Sequence, residues 1–129
     1  MDAKQVPGNG EWAAERSEVL RAGRLEIRPH EFAVLAEGRP LPLTMRELQL
    51  LTALARRSER IVAREELYRV VWQQPFHKRD RSVDVYVAKL RVKLERELPG
   101  WRFIHTHFGF GYRFSPEQLQ ILHNHATGR

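Results

Sequence analysis

The chain has 129 residues, a formal net charge of +6 at pH 7 and a sequence pI near 10.3. Its 42% of hydrophobic and 29% of charged residues are typical of a folded domain. The basic excess suits a polyanionic partner but does not separate nucleic acid from an acidic membrane or protein. The lack of cysteine excludes disulfide scaffolds, cysteine-based zinc sites and cysteine nucleophiles. No stretch resembles a secretory signal or a membrane span, and the lack of cysteine fits a cytosolic protein.

The positive charge is concentrated in one segment. Residues 78–93 contain six basic and two acidic side chains, and they hold half of the positive excess found after residue 19. A solvated helix stabilised by its own salt bridges more often mixes the two signs. This segment is therefore a candidate for contact with an acidic partner.

The N-terminal part of the chain predicts a lead followed by four short strands. Residues 1–18 have glycine and proline but no sustained period, which indicates a linker or disordered lead. Strands are then predicted at residues 19–21, around Leu25 and Ile27, at residues 32–36 and at residues 39–43. The pair Glu37-Gly38 is a hairpin turn signal, and the prolines of the fourth strand restrict it to a sheet edge.

Two amphipathic helices are predicted next. Thr44 and Glu47 have the spacing of a capping box, and one apolar face follows at Leu48, Leu51, Leu54 and Ala55. Residues 58–60 end this helix, and residues 61–62 predict a short connecting strand. A second helix is expected over residues 64–72, with the inner face Leu67, Val70 and Val71. Residues 73–78 predict a loop, since Pro75 cannot lie inside a helix.

The third predicted helix, residues 81–97, has two different faces. At about 100° per residue, Val83, Val87, Leu90 and Leu94 form a narrow apolar stripe. Arg81, Val85, Lys89 and Val92 lie opposite, with Ala88 beside them. Asp84 and Arg91 flank one side of the stripe, and Ser82, Tyr86 and Lys93 flank the other. The helix is thus expected to be anchored by one face and to present a basic, partly apolar face outward.

The C-terminal part predicts a β-hairpin. Residues 101–106 and 111–114 predict two strands around a turn at 107–110, and residues 116–122 could add a helical turn or two. We therefore expect a lead (1–18), one domain (19–115) and a C-terminal tail (116–129). The domain is predicted to be an α+β winged helix-turn-helix, with a four-stranded antiparallel sheet before three helices and a C-terminal hairpin wing.

Four motifs in order resemble one family. They are LTxxExxLL (43–51), REELxxxVW (64–72), RSVDVYVxxLRxKL (81–94) and IxTxxGxGYRF (104–114). Together they resemble the OmpR/PhoB-type effector domains, the C-terminal DNA-binding domains of two-component response regulators. The resemblance covers roughly residues 19–115. It implies a cytoplasmic transcription regulator's domain that is not an enzyme and needs no cofactor.

The resemblance also implies partners. Family members place the third helix in the major groove of double-stranded DNA and the wing in or near the minor groove, and they usually bind direct repeats in tandem. The loop before the third helix often touches RNA polymerase, which here implicates Gln73, Gln74, Phe76, His77 and Lys78. The family's receiver domain is not within these residues, so the chain is expected to be either part of a longer regulator or a free-standing effector. A monomer that pairs only on DNA is expected.

The implied DNA-binding residues lie mainly on the third helix. Lys89 and Arg91 match groove-facing basic positions of the family, Arg81 matches a phosphate contact, and Val85 could pack against a thymine methyl group. The complete set is Arg64, Trp72, Arg81, Ser82, Asp84, Val85, Tyr86, Ala88, Lys89, Arg91, Lys93, Thr106, Phe108 and Tyr112.

Several of these residues have alternative roles. Tyr86 and Trp72 fit phosphate contact and ordinary packing about equally, and Arg91, on the flank of the helix, could bind a phosphate or a carboxylate within the domain. Asp84 is expected to orient a neighbouring arginine or to interact with the N-terminus of the helix rather than to accept a hydrogen bond from cytosine. In the wing, Phe108 stands where many members have a basic residue. We expect a wing that lies on the backbone or a Phe108 packed onto the domain, with an intercalating wedge as the less favoured alternative.

Rival functions have weaker support. His105 and His107 share a strand face, but no further ligands at metal spacing accompany them. No serine–histidine–acid set can be inferred. A protein-interaction module that docks through Phe76, Phe108 and Phe110 is the main alternative, and the basic third helix disfavours it.

Overall fold

The computed structural model describes residues 18–119. The predicted tail beyond residue 119 and the lead, except for Glu18, lie outside these residues. The described part begins with a four-stranded antiparallel sheet in the order β1-β2-β3-β4. Its strands are β1 (Leu20–Ala22), β2 (Leu25–Arg28), β3 (Ala33–Ala36) and β4 (Arg39–Pro40). Alternating buried residues, Leu25 and Ile27 on β2 and Val34 and Ala36 on β3, turn one face of this sheet toward the core.

Three details of this sheet differ from the prediction. β1 begins and ends one residue later than the predicted 19–21. Phe32 is not the start of β3, because a 3₁₀ turn over Pro29–Glu31 ends there with Phe32 in a left-handed conformation (φ 53°). The ring is 69% exposed. The fourth strand is only two residues long, as expected where proline cannot donate to a ladder. The turn at Glu37-Gly38 is confirmed, and both residues have positive φ, as the tight hairpin requires.

The first helix, α1 (Met45–Arg56), begins with the predicted capping box. The Glu47 amide donates to Thr44 Oγ1 (3.2 Å), and the Thr44 amide donates to Glu47 Oε1 (2.9 Å). These bonds satisfy amides that an uncapped helix start would leave without partners. The predicted apolar face is buried, since Leu51 and Leu54 are fully enclosed.

The next elements are β5 (Ile61–Val62), α2 (Arg64–Trp72) and α3 (Ser82–Glu97). On α2 the prediction of Val70 as an inner residue was wrong, because Val70 is 40% exposed and Tyr68 is buried instead. The buried arc is centred close to Val71, roughly 100° from Val70 around the helix. On α3 the predicted inward stripe is confirmed: Val83, Val87, Leu90 and Leu94 are at most 3% exposed.

The C-terminal hairpin consists of β6 (Trp101–His107) and β7 (Gly111–Gln118). Together with the turn residues 108–110 it is called the wing below. β5 adds to it in the order β5-β7-β6, so the short strand pairs with β7 as well as connecting two helices. β7 continues to Gln118 where a helical turn was predicted from residue 116. The pairing of Arg102 with Glu117 and of Trp101 with Gln118 extends the ladder through Pro116.

The core unites all of these elements. Side chains from the first sheet, the three helices and the wing form one cluster of buried residues that includes Ile27, Leu51, Leu67, Leu90 and Phe114. The described residues thus form a winged helix preceded by a β-sheet, as predicted. No helix within residues 18–119 is long and apolar enough to cross a membrane.

Candidate nucleic-acid interface

The outward face of α3 is open along its first three turns. Arg81, Val85, Ala88 and Lys89 are all exposed, and neither the wing nor the first sheet covers them. Val85 is 48% exposed and the Arg81 side chain 75% exposed. The four buried residues of the opposite face hold the helix against the domain, so this face is available to a partner.

The carboxylate of Asp84 connects three elements at the start of α3. It accepts from Arg64 of α2 (Nε to Oδ1, 3.2 Å) and from the Tyr112 hydroxyl of β7 (2.6 Å). Arg81 approaches the other oxygen at 3.4 Å. Arg64 also donates to the Asp80 carbonyl at 2.9 Å. Asp84 therefore orients both arginines, which agrees with the role expected for it.

Asp80 is a structural residue that the sequence analysis missed. The Ser82 amide donates to Asp80 Oδ1 at 2.7 Å, so an aspartate one residue before the helix cap satisfies a free amide of α3. Hydrogen bonds from the Ser82 side chain and amide lower the pKa of Asp80. The acidic residue just before the basic helix was the available signal.

Arg91 is engaged within the domain. Its guanidinium donates to the Ile104 carbonyl at 2.8 Å and to Thr106 Oγ1 at 2.6 Å, so it binds the wing to α3. Burial lowers the pKa of Arg91. The expectation of a carboxylate partner within the domain was wrong, because Arg91 binds a backbone carbonyl and a hydroxyl instead.

Lys93 lies at the other end of the predicted set and pairs with Glu47 of α1 (Nζ to Oε1, 2.7 Å). Glu47 is only 2% exposed and also accepts from the Thr44 amide. Burial raises the pKa of Glu47, but the hydrogen bonds from Lys93 and Thr44 outweigh it and lower the pKa below its usual value. In this structure Lys93 thus compensates a buried charge.

Trp72 of α2 and Tyr86 of α3 belong to an aromatic cluster between the two helices. Trp72 stacks on Tyr68 (ring centroids 5.0 Å apart), and Tyr86 meets Trp72 edge-on at 5.6 Å. Lys89 Nζ lies 4.8 Å from the centre of the Tyr86 ring. Both rings retain partial exposure. Packing is therefore part of the role of both residues.

The loop before α3 differs from the expectation at one position. Gln73, Gln74, His77 and Lys78 are exposed. Phe76 is half-buried, with its ring edge-on to Tyr68 at 5.5 Å and below the Arg64 guanidinium. Phe76 anchors the loop and is not part of an exposed aromatic docking surface.

The wing tip is apolar and open. Phe108 is 88% exposed, which excludes one of the two expected alternatives, the packing of Phe108 onto the domain. The turn is tight because the Phe110 amide donates to the His107 carbonyl at 2.8 Å. His107 Nε2 accepts from Arg113, and His105 Nε2 lies 2.9 Å from the Ser115 carbonyl. Both histidines are thus bound within the wing.

Comparison with known proteins agrees with this architecture. The family model described as "Transcriptional regulatory protein, C terminal" matches residues 38–114. The AfsQ1 transcriptional regulatory protein of Streptomyces coelicolor is 36% identical over 104 residues, which are 81% of this chain and 46% of that protein. The phosphate regulon regulator PhoB of Shigella flexneri is 37% identical over 100 residues, covering 76% of this chain and 42% of PhoB.

Two solved structures have the same fold. The DNA-binding domain of Klebsiella pneumoniae RstA, crystallised with the RstA box, superposes with a TM-score of 0.68 at 29% identity. The alignment covers 76% of this chain and 97% of that domain. The DNA-binding domain of Escherichia coli CpxR gives a TM-score of 0.70 at 29% identity, with 77% and 97% covered.

The fold and the open α3 define a winged-helix domain of the DNA-binding class. The chain belongs to the OmpR/PhoB family of transcriptional regulator effector domains, which are not enzymes. It spans less than half the length of the curated relatives described above.

Proposed function

We propose that this chain binds double-stranded DNA sequence-specifically as the effector domain of a cytoplasmic transcriptional response regulator. In this proposal α3 enters the major groove and the wing lies on the adjacent backbone or minor groove. The observation that carries it is the α3 face on which Arg81, Val85 and Lys89 are exposed and uncovered. The crystallised complex of the RstA domain with its DNA box supports it by similarity.

The exposed side chains have separable roles in this proposal. Lys89 reads a base edge, Val85 contacts a thymine methyl group, and Ser82 and Ala88 let the helix approach closely. Arg81 and Arg64 bind phosphates, oriented by Asp84. The domain supports this surface from within through Trp72, Tyr86, Arg91, Thr106 and the buried Tyr112. All of these except Tyr112 are partly exposed and contribute backbone contacts through their exposed edges. Asp84 acts by orienting Arg64 and Arg81, and Lys93 acts by pairing with Glu47 of α1.

The salt dependence of binding tests the proposal. A domain with roughly four phosphate contacts should give a log–log plot of affinity against salt concentration with a slope of about −4. Arg81→Ala should make the slope shallower by about 0.9. Arg24→Ala is the matched control, because Arg24 is an exposed arginine paired with Glu37 on the first sheet. A flat salt response, or an equal effect of both variants, would contradict DNA binding through α3.

We also propose that the domain binds direct repeats in tandem, follows a receiver domain in a longer protein, and contacts RNA polymerase through its exposed loop residues. The polymerase contact is supported by the exposure of Gln74, His77 and Lys78. Lys78→Ala should then lower transcription in a reconstituted assay while leaving DNA affinity unchanged. If Lys78→Ala lowered transcription and DNA affinity together, Lys78 would be a DNA contact and not a polymerase contact.

A further inference from the structure

Two aromatic rings at the wing tip are exposed to solvent. Phe108 and Phe110 are 88% and 73% exposed, more than any other large hydrophobic residue within residues 18–119. Gly109 between them has φ 84°, a conformation that glycine adopts readily, and the turn presents both rings away from the core. Adjacent exposed aromatic rings commonly mark a contact surface.

The groove beside this tip carries both signs of charge. It has a volume of about 420 Å³ and separates the wing turn from the starts of α2 and α3, where Arg64, Glu65, Arg81 and Asp84 line its opposite wall. Asp84 is paired with both arginines, and the Arg81 side chain remains 75% exposed. An apolar protein partner would have to desolvate Arg81. A DNA strand offers a phosphate to Arg81 and apolar sugar and base edges to the rings, so it suits the exposed cation and the exposed rings together.

We propose that Phe108 is a specificity-determining residue that makes an apolar contact in the minor groove of the bound DNA. The inference rests on the proposed function and adds how the wing reads DNA. A cation is attracted to the narrow, strongly negative minor groove of an A-tract, whereas a phenyl ring is not. The ring needs a groove that can widen, as pyrimidine–purine steps allow. The wing should therefore favour flexible TA or CA steps beside the α3 site.

Salt titrations on defined duplexes test this contact. Sites selected by the wild type from a random duplex pool would be remade with either TA steps or an A-tract in the flank under the wing. Phe108→Ala should weaken binding to the flexible duplex roughly 5- to 20-fold with an unchanged salt slope, because a buried ring releases no counterions. Phe108→Arg should steepen the slope by about 0.9 and move the preference toward the A-tract.

Phe32→Ala is the matched control, since Phe32 is 69% exposed but lines a different groove with Met45 and Val70. It should change neither affinity nor flank preference. If Phe108→Ala binds both duplexes like the wild type while Arg81→Ala still weakens binding, the minor-groove contact is refuted and the proposed function stands. If the pool yields no enriched site and Arg81→Ala has no effect, the proposed function itself fails.

Discussion

The hydroxyl of Tyr112 donates a 2.6 Å hydrogen bond to the carboxylate of Asp84 and so connects the wing to the first turn of α3. Arg64 contacts the same carboxylate from α2. The wing and the exposed face of α3 are therefore held in a fixed relation before any partner binds. Such preorganisation lowers the entropic cost of binding through both elements at once.

Alkaline titration should reveal this connection. Burial, followed by the hydrogen bond to Asp84 and its charge, raises the pKa of Tyr112 to about 12. A raised pKa in the folded state means that the stabilisation is fully present below the unfolded value of about 10. It is lost as the pH rises from there toward 12. Ultraviolet absorbance of tyrosinate should show a late phase that accompanies loss of stability.

Tyr112→Phe is the control for this phase. It should remove one late-titrating group and leave another, because burial also raises the pKa of Tyr68. The variant should lose about 1 kcal/mol of stability at neutral pH through the missing hydrogen bond. An unchanged titration curve in the variant would contradict the assignment.

Lys93→Met should destabilise the fold by roughly 1–3 kcal/mol at pH 7, because it leaves the buried Glu47 carboxylate without its cation. Partial exposure of Lys93 keeps the loss below that of a fully buried pair. Urea denaturation measures it, with the exposed Lys89→Met as the matched control expected to stay within about 0.5 kcal/mol.

The same pair has a predictable pH dependence. The lowered pKa of Glu47 stabilises the wild type above the unfolded pKa, and this contribution is lost as the pH falls through the folded pKa. Without Lys93, burial is the dominant effect and should raise the pKa of Glu47 instead of lowering it, so protonation of Glu47 should stabilise the folded variant. The stability difference between wild type and Lys93→Met should therefore shrink as the pH falls from 7 toward 4. A difference that grows on acidification would rule out the ion pair as its cause.

Gly111→Ala should destabilise strongly. Gly111 has φ 141°, and a Cβ atom there would collide with the Val62 carbonyl of β5. We expect a loss of at least about 3 kcal/mol, since backbone must move to relieve the clash. Gly38→Ala is the control, because its φ of 80° carries strain but nothing lies within 4 Å of the new atom. That variant should lose about 1 kcal/mol in thermal or urea unfolding.

The roles proposed for Lys89 and Arg81 predict different specificity effects. Lys89→Ala should weaken the selected site by about 1–3 kcal/mol relative to random DNA, whereas Arg81→Ala should weaken both alike. Competition titrations with specific and random duplexes distinguish the two. Identical behaviour of the variants would refute the division into base and phosphate contacts.

Local patterns were sufficient for the elements that depend on nearby residues. The capping box at Thr44 and Glu47 and the stripe through Val83 and Leu94 follow from spacings of three and four residues, which any helix converts into contacts. The hairpin turn at Glu37-Gly38 likewise depends on conformations that those residues adopt easily. The start of β3 does not follow from such a local pattern. The 3₁₀ turn that begins at Pro29 ends at Phe32, so β3 begins at Ala33 and not at Phe32 as predicted.

The amino-acid sequence by itself determined the order of elements, the buried face of α3 and its basic outer face. Only the tertiary structure decided which charged side chains remain available, because partners distant in the chain compete for them. Lys93 meets Glu47 from 46 residues away, and Arg91 meets the wing 13 to 15 residues on. Phe76 turned inward and Phe108 outward for the same reason, since burial of a ring depends on which neighbours the fold brings within reach.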